Sequence, residues 1–314
     1  MKLNTIDLFA GIGGIRLGFE KAGFDTVYAN DFDKFCKVTY DLNFKNPKLD
    51  CEDIWKVVDK PLPKFDFLLA GFPCQAFSIA GYRHGFNDVK GRGNLFFAIA
   101  KLIDKYKPMG FLLENVKNLY THDHKRTFAK IESTLKKDLG YFIKTDILNS
   151  VEYGNVPQSR ERIYIVGFKS KKHLEKFHFP NPTPLTKNVK NILEDNVDKQ
   201  FYYEGKPLFN KIKNHISEGG VYQWRRIYVR ENKRGVIPTL TANMGMGGHN
   251  VPIIKDKNGI RKLTPRECAR AQGYPDSFKL PDNLSMSHLY KQIGNSVTVP
   301  VIKAIAENIK QAVK

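Results

Sequence analysis

The chain has 314 residues, and its 51 Lys and Arg against 32 Asp and Glu give a formal net charge of +19. The 41% of hydrophobic residues can form a sizeable core, which excludes a fully disordered chain, and the length predicts about two domains. No apolar run reaches the roughly 18 residues of a membrane helix, and the first residues lack the layout of a signal peptide, so we expect a cytoplasmic protein. The charge favours a polyanionic partner such as nucleic acid, but alone it does not separate nucleic acid from an anionic membrane or an acidic protein.

The N-terminal half alternates short apolar runs with helical periods, which predicts βαβ units and an α/β fold with a mainly parallel sheet. The predicted strands are Thr5–Phe9, Thr26–Ala29, Phe65–Ala70, Phe111–Leu113, Phe142–Leu148 and Ile163–Phe168. The predicted helices are Ile15–Ala22, Lys34–Leu42, Leu95–Tyr106 and Thr127–Leu139.

The character of the chain changes after Lys169. Residues 170–260 are rich in Lys, Asn, Gly and Pro and show only short, weakly periodic segments, which predicts a second domain of strands and loops. The chain becomes helical again from Lys262, and Val297–Val313 reads as an amphipathic closing helix. We therefore predict one domain over residues 1–169 and 285–314, and a second domain with a hinge over residues 170–284.

A glycine-rich turn, Phe9 to Gly14, lies between the first predicted strand and the first predicted helix. Glycines at this point let a ligand approach the backbone, and Asp31, which ends the second strand, lies where an acid can bind ribose hydroxyls. The dinucleotide fingerprint G-x-G-x-x-G would need a glycine where Arg16 stands, which argues against a bound pyrophosphate. The pattern favours a nucleoside without phosphates, such as S-adenosylmethionine, over a turn without a ligand.

Cys74 follows Pro73 directly after the buried strand Phe65–Ala70. It therefore lies at the carboxyl end of a strand, where open sheets bind ligands, and a thiol there can act as a nucleophile if positive groups lower its pKa. The other cysteines, Cys36, Cys51 and Cys268, form no CxxC pair with it or with each other, so neither structural zinc nor a disulfide is expected. The glycine-rich basic loop 79–93 that follows is typical of a lid over an anionic substrate.

Two further segments carry polar groups at strand ends. Glu114 closes the strand Phe111–Leu113, where burial favours a protonated carboxyl group that can donate to a ring nitrogen. Arg160 and Arg162 precede the strand Ile163–Phe168, and strand alternation predicts that they share one face, where guanidinium groups can hold a base carbonyl or a phosphate. The simpler alternatives are a carboxylate at a helix start and a surface pair bridged by Glu161.

Taken in order, these motifs resemble those of small bacterial and archaeal cytosine-C5 DNA methyltransferases of restriction–modification systems. The resemblance covers nearly the whole chain, and the matching segments are Asp7–Gly14, Gly71–Gln75, Glu114–Val116, Gln158–Arg162, Arg266–Arg270, Gly273–Pro275 and Gly294–Val297. It implies a Rossmann-like domain that binds S-adenosyl-L-methionine and a small target-recognition domain over residues 170–284. It implies double-stranded DNA as the substrate, a cognate restriction endonuclease as a functional partner, no membrane partner, and a monomer.

The resemblance also implies a role for individual residues. The cofactor contacts implied are Phe9, Gly11, Gly13, Asp31, Phe32, Asp53, Ile54, Pro73, Leu95, Asn295 and Val297. The catalytic residues implied are Cys74, Glu114, Arg160 and Arg162. The DNA contacts expected are Ser78, Arg92, Gln158, Gln223, Arg225, Arg226 and Thr239. Cys74 would attack C6 of a flipped cytosine, while Glu114 would donate to N3 and Arg162 would hold O2.

Three other functions remain open from the sequence. A tRNA cytosine-C5 methyltransferase of the same fold would share most motifs, although such proteins usually depart from the intact Cys74–Ser78 segment. A catalytically silent DNA-binding module would have no need of a thiol beside a carboxyl group. A nucleotide-dependent oxidoreductase is disfavoured by Arg16 at the glycine position.

Overall fold

The computed structural model of the chain describes residues 2–73, 95–245 and 251–314. The strands in chain order are β1 Asn4–Leu8, β2 Asp25–Asn30, β3 Phe67–Gly71, β4 Gly110–Val116, β5 Phe142–Asn149, β6 Glu161–Phe168, β7 Tyr222–Trp224, β8 Val229–Glu231, β9 Ile253–Asp256 and β10 Gly259–Lys262. The helices are α1 Gly14–Lys21, α2 Lys34–Asn43, α3 Ile54–Asp59, α4 Leu95–Tyr106, α5 Arg126–Ser133, α6 Ser150–Tyr153, α7 Lys171–Lys176, α8 Phe209–Ile212, α9 Pro265–Ala271, α10 Met286–Asn295 and α11 Val299–Ala312. None of the described helices is long and apolar enough to cross a membrane.

The first sheet has six strands in the order β2-β1-β3-β4-β6-β5. β1 runs parallel to β2 and to β3, and β3 runs parallel to β4, whereas β6 is antiparallel to β4. The predicted mainly parallel sheet is therefore confirmed. Because parallel strands end at one edge, the segments that follow β1, β2, β3 and β4 emerge side by side there.

The apolar strands form the centre of the first compact unit, which comprises Met1–Leu148, Glu161–Asn181 and Ile302–Lys314. Leu68 and Leu113 on adjacent strands pack with Ile99 and Leu102 of α4, and all four side chains are fully buried. Burial of such side chains contributes about 1.5–3 kcal/mol each. This core holds the carboxyl edge of the sheet in place.

The second compact unit comprises Asn149–Arg160 and Pro182–Val301. Its antiparallel sheet has the strand order β10-β9-β7-β8, and Trp224, Ile253 and Ile260 of that sheet pack with Ile212 in a separate core. The predicted division into 1–169 with 285–314, and 170–284, differs from this one in three places: residues 149–160 and 285–301 belong to the second unit, and residues 170–181 belong to the first.

Most predicted elements occur within one or two residues of their predicted bounds, and α4 has the predicted bounds Leu95–Tyr106. The prediction Thr127–Leu139 was wrong at its end, because regular α-helix stops at Ser133 and a π-helical turn covers Thr134–Asp138. The short helix α3 was not predicted; it begins where the Asp53 carboxylate accepts the Trp55 N–H at 2.8 Å.

Candidate functional site

The glycine-rich turn after β1 has three residues in left-handed backbone conformations, with φ of 55° at Phe9, 55° at Gly11 and 84° at Gly13. A Cβ at Gly13 would lie 2.3 Å from the Phe44 ring, so only glycine fits there. A Cβ at Gly11 would meet nothing within 4 Å. The turn therefore presents open backbone at Gly11, as close approach of a ligand requires.

Asp31 lies beside this turn, directly after β2. One carboxylate oxygen accepts the Gly11 N–H at 2.8 Å, and the other accepts the Asp33 N–H at 2.9 Å. Phe32, the next residue, exposes 74% of its surface. The structure thus brings together an open glycine turn, a positioned carboxylate and an exposed aromatic ring, three of the features predicted for the nucleoside site.

The residues that precede α3 run alongside the end of β2. The Asp31 N–H donates to the Asp50 carbonyl at 3.2 Å, and the Asn30 side-chain amide donates to the Glu52 carbonyl at 2.8 Å. These bonds hold Asp53 and the buried Ile54 close to the Asp31 segment. Both residues were predicted for the same site.

Arg16 explains why the chain departs from the dinucleotide fingerprint. Its buried guanidinium group donates to the Tyr40 hydroxyl at 2.8 Å, to the Asn46 carbonyl at 2.6 Å and to the Pro47 carbonyl at 3.0 Å. It also pairs with Glu20 at 2.6 Å. The arginine therefore holds the segment after α2 in place, a structural role that a glycine could not supply.

Sequence reasoning assigned no role to the fully buried carboxyl group of Asp7. One oxygen accepts the Arg16 N–H at 3.2 Å, and the other has no hydrogen-bond partner among the described residues. Burial raises the pKa of Asp7 from its ordinary value of 3.8 to about 7, and the Arg16 N–H and guanidinium only partly oppose this rise. An acidic residue inside an apolar strand was the available signal.

Glu114 lies at the carboxyl edge of the sheet, between β3 and β6. It is in register with Gly71 of β3, and a Cβ at Gly71 would lie 3.5 Å from one Glu114 carboxylate oxygen. The other oxygen is 3.2 Å from the Nε of Arg162, and both side chains are mostly buried. The adjacent Asn115 amide donates to the Phe72 carbonyl at 2.8 Å, which fixes the chain as it leaves β3.

Five predicted residues lie in or next to the stretch of sequence between β3 and α4. Pro73 is exposed, and Leu95 opens α4 with its side chain half buried. Cys74, Ser78 and Arg92, together with the predicted lid 79–93, lie outside the described residues. Among residues 2–73, 95–245 and 251–314, no cluster of His, Cys, Asp and Glu could hold a metal ion.

Five of the remaining predicted residues belong to the second unit and differ in their burial. Gln158 and Arg160 are buried, Asn295 at the end of α10 is exposed, and Val297 is buried. The Thr239 hydroxyl donates to the Ser159 carbonyl at 2.7 Å. Arg160 precedes β6 and donates to backbone carbonyls that include that of Leu240, whereas Arg162 pairs with Glu114.

The β7–β8 hairpin contains the predicted base-reading segment. Gln223 on β7 is buried, whereas Arg225 and Arg226 in the turn are exposed, and Arg226 has φ of 70°. The turn also exposes 86% of Ile227 and 54% of Tyr228, which were not among the expected DNA contacts. Exposed apolar side chains next to two arginines are typical of a surface that contacts another molecule.

Comparison with known proteins adds an independent observation. The family model described as C-5 cytosine-specific DNA methylase matches residues 3–311. The chain is 55% identical over 313 residues to the Type II methyltransferase M.Bsp6I of Bacillus sp. (strain RFL6), covering 98% of both chains. It is 41% identical over 327 residues to the Type II methyltransferase M.HhaI of Haemophilus parahaemolyticus, covering 98% of this chain and 94% of that one.

Two crystal structures are similar along their whole length. The DNMT2 mutant of Spodoptera frugiperda superposes with a TM-score of 0.74 at 21% identity, covering 98% of this chain and 100% of that one, a likeness of fold. The putative DNA modification methyltransferase encoded within prophage Cp (E. coli) superposes with a TM-score of 0.72 at 25% identity, covering 99% of both chains.

Proposed function

Because the chain belongs to the C-5 cytosine-specific DNA methylase family and is a DNA cytosine-5-methyltransferase of restriction–modification type, we propose how it works. It transfers a methyl group from S-adenosyl-L-methionine to C5 of a cytosine flipped out of duplex DNA. The reaction passes through a covalent bond between Cys74 and C6 of the base.

The observation that carries this proposal is the partly buried pair of Glu114 and Arg162 at the carboxyl edge of the sheet, 3.2 Å apart. Gly71 is in register with Glu114, and Cys74 follows Gly71 by three residues. We propose that Cys74, three residues after Gly71 in the sequence, acts beside this pair. A nucleophile, an acid and a cation near one strand edge suit attack on a heterocyclic ring.

The described residues fit the proposed cofactor. Asp31 is held by two backbone N–H groups, which aims a carboxylate beside the open backbone at Gly11. A carboxylate there would accept ribose hydroxyls, and the exposed Phe32 ring would stack on adenine. When bound, the sulfonium supplies an electrophilic methyl group.

The residues of the chain prepare the cytosine for that methyl group. The Cys74 thiolate forms a bond to C6, and the ring electrons move so that C5 becomes nucleophilic. Glu114 donates a proton to N3 as charge develops there, and Arg162 holds both the Glu114 carboxyl group and O2 of the base. After C5 is methylated, a base removes the C5 proton, N3 returns its proton to Glu114, and expulsion of the Cys74 thiolate restores the aromatic ring.

The positive charge and the exposed hairpin support duplex DNA as the molecule that is bound. A net charge of +19 attracts phosphates independently of sequence. Arg225 and Arg226, exposed in the β7–β8 turn, have the donor geometry that reads guanine edges. We expect the protein to act as a monomer in the cytoplasm, alongside a cognate restriction endonuclease that its methylation blocks.

The covalent step is tested with duplex DNA in which cytosine carries fluorine at C5. Such a base cannot lose its C5 substituent as a proton, so wild-type protein should form a denaturation-resistant adduct that mass spectrometry maps to Cys74. Cys74→Ser should bind DNA without forming the adduct, because a hydroxyl is far less ionised than a thiol near neutral pH. Cys51→Ser, which changes an exposed cysteine, should still form it. Absence of any adduct in protein that methylates normal DNA would exclude the covalent route.

A further inference from the structure

A buried polar network in the second unit joins two segments that the proposed function assigns to different ligands. One segment contains Thr239, predicted to contact DNA phosphate. The other contains Asn295 and Val297, predicted to contact the cofactor. The inference below rests on those two assignments.

Arg160 connects the two segments through a single guanidinium group. The side chain is 2% exposed, and one terminal nitrogen donates to the Leu240 carbonyl at 2.7 Å. The group also donates to the Gly294 carbonyl at 3.4 Å and to the Ser296 carbonyl. Leu240 follows Thr239, and Gly294 and Ser296 flank Asn295, so one buried cation holds the backbone next to both ligand-binding residues.

Gln158 provides a second connection parallel to the first. Its fully buried side-chain oxygen accepts the Leu240 N–H at 3.0 Å, and its amide nitrogen donates to the Gln272 side-chain oxygen at 3.1 Å. The Gln272 amide then donates to the Ile293 carbonyl at 3.2 Å. This path again runs from Leu240 to the end of α10.

The two segments also touch directly. A Cβ at Gly294 would lie 2.2 Å from the carbonyl carbon and oxygen of Thr241, so the backbones meet with no side chain between them. A shift of either segment alone would break this contact and remove carbonyl acceptors from the buried Arg160. Removing acceptors from a buried cation is costly, so the segments move together.

We propose that Arg160 is a positioning residue that couples the binding of DNA to the binding of the cofactor, with Gln158 in support. A ligand that orders the Thr239 segment also orders the Asn295 segment through the shared guanidinium, so the second ligand loses less entropy. The coupling is reciprocal, because each ligand must change the affinity of the protein for the other ligand by the same factor. Arg160 and Gln158 thus act through backbone carbonyls and amides, not through contact with the base or with DNA.

The coupling is measured with S-adenosylhomocysteine and a duplex oligonucleotide carrying the site that wild-type protein methylates. Calorimetry gives the Kd of S-adenosylhomocysteine without and with saturating DNA, and we expect a ratio of about five or more in wild type. In Arg160→Met the ratio should fall to near one. Arg160→Lys keeps the charge but lacks the planar fork that spans both segments, so it should show the same loss with a smaller risk of misfolding.

Tyr274→Phe is the matched control. It removes the hydrogen bond at 2.5 Å between the Tyr274 and Ser296 hydroxyls but leaves the groups that bond Arg160 to the Leu240, Gly294 and Ser296 carbonyls unchanged. Its ratio should remain that of wild type, even if its Kd rises. A folded Arg160 variant with the wild-type ratio overturns the proposal, as does a wild-type protein in which the two ligands bind independently. Wild-type protein that binds neither ligand would instead contradict the proposed function.

Discussion

Replacing the buried Asp7 by Asn should stabilise the protein at alkaline pH. Burial raises the pKa of Asp7 from 3.8 to about 7, so between these values the folded protein binds more protons than the unfolded chain. The free energy of unfolding therefore falls as pH rises through this window. Above pH 7 the carboxylate is ionised in the folded and the unfolded chain, and the free energy of unfolding stays lowered by the full amount. At about 1.4 kcal/mol per pH unit, the free energy of unfolding that is lost between pH 3.8 and pH 7 amounts to roughly 4 kcal/mol.

Asp7→Asn is neutral at every pH and keeps an oxygen that accepts the Arg16 N–H. Urea denaturation between pH 4 and pH 9 should show similar stability near pH 4, an advantage for the variant that grows between pH 4 and pH 7, and a constant advantage above about pH 7. Asp66→Asn is the control, because the Asp66 carboxylate also accepts a backbone N–H, from Asn4 at 2.8 Å, but is only partly buried. A difference between Asp7→Asn and wild type that stays constant with pH would refute the reasoning.

Three further predictions concern binding and catalysis. Asp31→Ala should raise the Kd of S-adenosylhomocysteine about tenfold or more, since a hydrogen bond to a charged group contributes roughly 1.5–3 kcal/mol. An unchanged Kd in calorimetry would show that Asp31 does not bind the ribose. Glu114→Gln should lower the single-turnover methylation rate by about 10²–10³-fold while DNA affinity stays within a few fold, and a near-normal rate would exclude Glu114 as the acid. Arg226→Ala should cost about 1–3 kcal/mol of discrimination between DNA sites, whereas Lys90→Ala should weaken binding to all DNA sequences alike and flatten its salt dependence. Methylation rates on single-base variants of the site, measured at two salt concentrations, separate these outcomes. If only Lys90→Ala shifts the preferred site, base recognition does not lie at Arg226.

The sheet and its edge could be predicted from the sequence because apolar runs and helical periods alternate clearly. The position of Asp31 at the end of β2 follows from that pattern, whereas its bond to the Gly11 N–H was not predicted. Helix α3 escaped prediction because six residues are too few for a helical period to be recognised. The antiparallel direction of β6 also has no local signal, since strand direction depends on the path of the chain between strands.

The roles of the two arginines could not be separated from the sequence. Alternation places Arg160 and Arg162 on one face only if both belong to the strand, but β6 begins at Glu161. Arg162 pairs with Glu114, whereas Arg160 bonds to carbonyls that are 80 and more residues away in sequence. Bonds of this kind depend on tertiary packing, and a charged side chain in a polar segment gives no sign of burial.

The central claim is that the protein methylates C5 of cytosine in duplex DNA, and sequencing of bisulfite-treated DNA from cells expressing it tests that claim most directly. We predict protected cytosines at one recurring short sequence with wild-type protein and none with Cys74→Ser. Fully converted cytosines in cells that contain soluble wild-type protein, or protection that persists with Cys74→Ser, would contradict the account.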